Sequence, residues 1–358
     1  MQIWKDITSA WQQLDAQQSA QIPQWQQLLQ MTLLYLFRHI GPRYFLQGRW
    51  WRPEISFRDK WLHVNKPEYI QFIDRWNRAA YRKASQHKLV EKAVLQTMSI
   101  PTPQFIGYLH PHNGACQNGD ALCKQIDFEA LCRKLLGHTI CVKPVEGYGG
   151  SGFNAFKLLE QNGELLLEHP FTAKQQSLES WWRQAMPNDK GYILEHYLVQ
   201  HPQMSALHPQ SVNTIRIWVY LTPNGPQTAG AYLRVGQHGS LVDNISFGGI
   251  YCPVDLSKGE IEYGIDADHP TQVMLHHPNT QANLQHFKIP FWAQCQQIAG
   301  RALQAFPEAR VAGVDVAICA DGPRMIELNL SPDQIGCAWM DLPLKKIDQQ
   351  LRQAYGVG

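Results

Sequence analysis

Long apolar runs are missing from this chain. None reaches the roughly 20 residues that a bilayer-spanning helix needs; the longest candidate, Met31 to Phe37, is far short of it. An excess of one charge is missing too. The net charge is +2 at pH 7, which gives no electrostatic case for nucleic acid or a membrane surface as partner. Cysteine pairs at metal spacing are absent: residues 116, 123, 132, 141, 252, 295, 319 and 337 form no Cys-x-x-Cys. The N-terminus, MQIWKDITSAWQQLD, has glutamines and acids where the apolar core of a signal peptide would lie. Reduced thiols and a cytoplasmic location are therefore expected. No GxxxxGK[ST] occurs, which argues against a P-loop, and no HRD or DFG, which argues against a protein kinase. With 44% hydrophobic residues in 358, the chain is globular, with two domains or one multi-lobed one.

What is present centres on TICVKPVEGYGGSGFNAFKLL, residues 139–159. An apolar run ends in Lys143 and Pro144. Gly147, Gly149, Gly150 and Gly152 follow, with Ser151 among them, and strand-like residues resume at Phe153. Glycines let backbone N–H groups converge on an anion, and the lysine adds a mobile positive charge. The spacing fits GxGxxG, but no helix pattern follows, which disfavours a dinucleotide site. The stretch reads as a hairpin tip over nucleotide phosphates, or as a tight turn beside an exposed lysine.

Three regions flank it. Residues 1–84 read as a helical, aromatic-rich leader in which Trp25, Leu28, Leu29, Leu33, Leu36, Phe37 and Ile40 recur at helical spacing, ended by Gly41-Pro42. In it, Trp50, Trp51 and Trp61 read as core. The alternative is an accessory surface whose Arg43, Arg49 and Arg52 receive an anionic group. Residues 85–195 open with Ser85 as the expected cap of a helix over Lys88 to Thr97 and include the hairpin. Residues 196–358 hold two strands joined at Pro223-Asn-Gly225, with Thr214, Arg216, Trp218 and Tyr220 on one face, and a helix with Pro290 in its first turn.

The other chemical signal is VAGVDVAICADGPRMIELNLSP, where Asp321-Gly322 makes a hairpin turn and Asp315 opposes the region of Glu327 and Asn329. Two carboxylates and an amide oxygen form a hard oxygen cluster suited to Mg2+. Half-exposed acids near a turn are the other reading.

In this order, Lys88 … IPTP … VKPxxGxGGxGF … LEHYL … VDV … ELNLSP, the chain resembles the ATP-grasp superfamily. KPVEGYGGSGF, SVNTIRI and NISFGGIYCPVDLSKG are similar to its sugar-transfer-associated group, which is related to the α-L-glutamate ligase type. The resemblance covers about residues 40 to 340. It implies an α+β ATP-grasp fold, two lobes clasping ATP behind the helical leader. It also implies that Lys88 and Lys143 contact the phosphates, with the hairpin Gly147 to Gly152 closing over them. Glu195, with the backbone of His196 and Leu198, would hold adenine; Asp315, Glu327 and Asn329 would bind Mg2+.

The chain departs from the pattern twice. No ribose-binding acid follows Glu195, leaving Gln200 or His201 to substitute, and the arginine many ligases hold two residues before the metal aspartate is Gly313. Arg216, with Asn213 and Thr214, is the candidate to stabilise the reacting intermediate, or else a structural partner of an acid. Asp243, Asn244, Gly248 and Gly249 are expected to shape the acceptor pocket.

The activity implied is ATP-dependent ligation of a carboxylate to an amine or thiol through an acyl phosphate. By association with the group's name, it would act on glycan, surface-polymer or peptide-type acceptors. A small-molecule kinase and a nucleotide-binding scaffold without turnover are the alternatives.

Overall fold

Alternating apolar residues build two antiparallel sheets. The computed structural model describes residues 21–147, 149–186 and 189–357. In the first sheet, Thr139–Pro144 and Asn154–Gln161 pair through Cys141↔Ala155 and Val142↔Asn154, so the glycine stretch is a hairpin tip as its residues predict. Tyr192–His196 lies between the lysine-bearing strand and Phe105–Leu109. Ile140, Val142, Phe156, Leu158 and Leu194 turn one face toward helices Gln125–Lys134 and Leu178–Ala185, where Phe128 and Trp181 complete the core.

The second sheet runs from Val273–Met274 through Gly264–Asp266, Ile250–Asp255, Gly225–Val235, Thr214–Thr222 and Val311–Cys319 to Gly322–Asn329. Ile215, Ile217, Val314 and Val316 pack against helix Trp292–Gln304. On the opposite face Trp218 meets helices Lys66–Trp76 and Leu344–Tyr355. Along that face a polar row crosses the sheet: Glu327, Asp315, Arg216 and Tyr232 are successive cross-strand neighbours. The edge strand Gly322–Asn329 is covered by the chain before it. Met325 N–H donates to the Pro101 carbonyl at 2.8 Å, and Leu328 N–H donates to the Glu91 carboxyl of helix Lys88–Thr97. Such cover keeps a sheet edge from pairing with another chain.

The leader contributes Gln24–Arg38, Pro42–Gln47, Phe57–Trp61, Lys66–Trp76 and Ala79–Gln86. Trp50 and Trp51 are fully buried in its core, and Trp61 packs against it. Polar side chains tie the leader to the second sheet. Asn77 Nδ2 donates to the carbonyls of Val311 (2.8 Å) and Leu330 (2.6 Å), and the Tyr69 hydroxyl donates to the Pro332 carbonyl. Gln47 donates to Ala267 O (2.6 Å) and accepts from Trp339 Nε1 (2.7 Å). Residues 1–20 of the expected leader lie outside the described residues. Among those described, no helix is long and apolar enough to cross a membrane.

Local expectations fail where a cap was assigned from residue type. Ser85 sits inside helix Ala79–Gln86 with its hydroxyl on the Arg82 carbonyl, and His87 precedes the next helix without a side-chain cap. Gly41-Pro42 does not end the first helix: that helix stops at Arg38, and Pro42 opens the next one. Pro290 lies before its helix, not in the first turn, because Phe291 takes a left-handed conformation at the N-cap (φ 54°).

Candidate functional site

One cleft of about 1040 Å³ takes side chains from the first sheet, the second sheet and the leader. Lys88, Lys143, Gly147, Gly149, Gly150, Ser151, Glu195, His196, Leu198, Arg216, Asp315, Glu327 and Asn329 all line it. The glycine hairpin and the carboxylate hairpin, distant in the chain, therefore share a cleft. They also approach through Lys88, whose ammonium lies 3.9 Å from Glu327 and donates to Gly147 O at 3.3 Å. The hairpin tip lies against a loop of the other half. Gly150 (φ +80°) has Val242 Cγ1 3.2 Å from where its Cβ would be, so a side chain there would meet both strain and crowding.

Beneath the hairpin, Glu195 is buried between two ammonium groups, with Lys143 on one oxygen and Lys92 on the other, each at 2.5 Å. Burial works against the Glu195 charge, but the two lysines overcome it and hold its pKa below the usual carboxylate value. The same partner raises Lys143 against the pull of burial. Burial dominates at Lys92, lowering it, and its ammonium also donates to Pro103 O at 2.7 Å. Two lysines and one glutamate leave a single excess positive charge at this end of the cleft. The Glu195 side chain thus orients lysines. His196 and Leu198 both line the cleft, but the His196 N–H is spent on the Gln104 carbonyl (3.0 Å).

Across the cleft, both Asp315 oxygens are held by arginines. Arg216 donates to each of them, and Arg234 NH2 lies 2.9 Å from Oδ2. Burial pushes Asp315 up, but the two guanidinium groups hold its pKa below the ordinary range. Arg234 continues to Asp243 at 3.5 Å, and Asp243 accepts from the Thr214 N–H (2.8 Å) and hydroxyl (2.5 Å). Gly313 makes room for this arrangement. A Cβ there would lie 2.8 Å from Pro332 Cβ and 3.1 Å from Arg216 Cδ.

Some expected residues lie elsewhere. Asn213 is wholly buried off the cleft; its amide donates to Gln200, Met204 O and His208 O, and its oxygen accepts from Ser211 and Gly236. It holds a turn and does not line the cleft. Gln200 belongs to the same buried network, and neither it nor His201 reaches the cleft, so neither substitutes for a ribose-binding acid. Gly152 adjoins Pro144 at the hairpin base and Gly249 the Asp243 carbonyl, both outside the lining. Glu260, Glu262 and His286, whose potential ligand atoms lie within 4.8 Å of one another, are also outside it.

Sequence reasoning passed over Lys92, Arg234 and Glu91. Lys92 follows Lys88 by one helical turn and Arg234 follows Tyr232 by two strand positions, so periodicity places each beside its neighbour. Glu91 is buried in the cleft wall. Burial first, then the neighbouring Glu327, pushes its carboxyl well above the usual value. A carboxyl raised in the folded state contributes stability below its unfolded pKa, and that contribution is lost as pH rises. Glu91→Gln keeps an acceptor for Leu328 N–H without a charge. Its melting temperature is expected to match wild type at pH 4.5 and exceed it increasingly toward pH 8; a constant offset across that range would refute the account.

Comparison with known proteins agrees with the fold. The family profile described as sugar-transfer associated ATP-grasp matches residues 68–342. No curated protein sequence matches. A solved D-alanine–D-alanine ligase from Bacillus anthracis, complexed with ATP, is 15% identical at a TM-score of 0.41, over 77% of this chain and 69% of that one. The N5-carboxyaminoimidazole synthase from Aspergillus clavatus is 10% identical at a TM-score of 0.39, over 75% of this chain and 51% of its own. The ATP-grasp ligase PsnB, complexed with a minimal precursor, is 14% identical at a TM-score of 0.38, over 77% and 63%. This chain thus spans about half the length of the synthase it resembles. With the family profile covering most of its length, the chain belongs to the sugar-transfer associated ATP-grasp family, with an ATP-grasp fold behind a helical N-terminal region.

Proposed function

We propose that the protein is an ATP-dependent ligase that activates a carboxylate as an acyl phosphate and transfers the acyl group to an amine or thiol. One observation carries this reading: a glycine hairpin with buried lysines faces an acidic β-hairpin across a single cleft. A carboxylate oxygen attacks the γ-phosphorus of ATP, the bond to the β–γ bridging oxygen breaks, and ADP leaves. The lone pair of the amine or thiol then attacks the acyl carbon and phosphate departs, while the nucleophile's proton passes to phosphate or solvent. Activation turns a poor leaving group into a good one, so the protein's part is positioning and charge compensation.

Lys143 and Lys88 would meet the phosphates, with Lys92 holding Glu195 beneath them, and Gly147 to Ser151 would offer N–H groups from above. Leu198 would supply backbone to the adenine. Glu327 and Asn329 offer oxygen donors of the type Mg2+ prefers, whereas Asp315 has both oxygens on guanidinium groups and fits that ion less well. Mg2+, when held by Glu327 and Asn329, would supply neutralisation of triphosphate charge. Arg216 sits beside these acids, where an anionic tetrahedral intermediate would need a cation.

The test is product analysis with purified protein, ATP and paired panels of carboxylates and amines. Stoichiometric ADP and free phosphate, both requiring two co-substrates, are expected. A phosphorylated hydroxyl compound with no free phosphate would replace this reading with a kinase.

A further inference from the structure

The cleft extends beyond the nucleotide end, and its far wall is the leader. At about 1040 Å³ it lies at the upper end of the ~300–1000 Å³ typical of small-ligand sites. Two leader helices supply that wall. On Pro42–Gln47, Arg43 and Gln47 are one turn apart and share a face; Gln47 is fixed by its bonds to Ala267 and Trp339, which aims Arg43 along the same side. On Lys66–Trp76, the lining residues are Lys66, Tyr69, Ile70 and Ile73, a single helical stripe. The Tyr69 hydroxyl pins that stripe to Pro332, three residues after Asn329, so the wall stands beside the acidic hairpin.

The charges of this wall are unspent. Arg52 is paired with Asp341 at 2.7 Å, and Arg49 is buried with its guanidinium against Tyr263 at 4.9 Å; neither lines the cleft. Arg43 lines it, exposed, and among the described residues has neither a hydrogen-bond nor an ion-pair partner. Lys66 has no acid within pairing distance among them, only the Tyr69 ring at 5.1 Å. Beside these cations Ile70 is 48% exposed, an aliphatic surface left open. A guanidinium fork with no internal acceptor matches a carboxylate or phosphate in bidentate geometry.

We infer that the leader forms the subsite for the second substrate, and that this substrate carries an oxyanion, carboxylate or phosphate, bound by Arg43 and Lys66, with an aliphatic portion against Ile70 and Ile73. The inference rests on the ligase reading above and names the substrate class of that cleft. The oxyanion is a recognition group, distinct from the carboxylate activated at the glycine hairpin.

Calorimetry on the full chain saturated with a non-hydrolysable ATP analogue tests it, with sodium glutarate and sodium phosphate as separate probes. Wild type is expected to bind at least one probe, and which of them separates a carboxylate from a phosphate preference. Arg43→Ala is expected to weaken that binding about tenfold or more, the worth of a hydrogen bond to a charged group. Arg58→Ala, an exposed arginine of the same leader outside the cleft, is the control and should bind as wild type. No binding of either probe by wild type, or equal affinity in Arg43→Ala, overturns the inference. Affinity for the analogue itself, compared between wild type and Lys143→Ala, reports on the nucleotide site, so failure of the ligase reading shows separately.

Discussion

Lys143→Ala is expected to lower ATP turnover by about two to three orders of magnitude, the scale for removing one preorganised charge from a reacting centre. The variant also strips one of two cations from a glutamate whose side chain is only 4% exposed. Breaking a buried pair costs about 3–5 kcal/mol when nothing remains; Lys92 remains here, so the loss should be smaller and the protein should still fold. A second substitution separates the two effects. In Lys143→Ala/Glu195→Gln the stranded charge is gone, so the melting temperature should recover while turnover stays at the low level of the single variant. Turnover at the wild-type rate in the purified single variant would remove Lys143 from the mechanism.

The other large effect is expected at Asp315. Asp315→Asn leaves Arg216, 9% exposed, without its carboxylate, while Arg234 keeps the Thr214 hydroxyl and the longer contact to Asp243. The cost at neutral pH should be about 3–5 kcal/mol, since an unpaired buried charge is left behind. Its pH dependence has a definite sign. The folded Asp315 pKa is depressed, so its contribution is fully present above the unfolded value of about 3.9 and is lost as pH falls through the lower folded value. Denaturant unfolding should therefore show a wide gap between wild type and variant at pH 7 and a narrowing one below pH 4. A gap that stays constant through acid would show that the carboxylate charge is not what holds the arginines.

The order of elements was legible because each relied on local chemistry. Glycines between two strand-like runs leave few conformations other than a hairpin, and Asp321-Gly322 sets the hairpin register as far as Val316↔Met325; a bulge at Ile326, which the sequence does not announce, then brings Asp315 opposite Glu327. Partnerships across the chain were not legible. Glu195 pairs with Lys143 and Lys92 from 52 and 103 residues away, and only packing of helix Lys88–Thr97 against the sheet brings the three together. Asn213 misled for a related reason. Its neighbours Thr214 and Arg216 point toward the cleft, but residue 213 precedes the strand and its amide is consumed by Gln200, Met204 and His208. The three leader arginines look equivalent in sequence. Burial and one aspartate remove two of them from the cleft, a distinction no local pattern encodes.

Gly313 and Arg216 occupy neighbouring strands and compete for one volume. Where the resemblance expects a cation two positions before the acidic residue, this chain has Gly313, and the guanidinium of Arg216 reaches the same aspartate from the neighbouring strand. Evolutionary drift at either position is therefore constrained by the other: a bulky residue at 313 would evict the guanidinium, and a short one at 216 would leave a hole. Among relatives, the two sites should vary as a reciprocal couple, large opposite small, with the positive group retained while its strand of origin changes.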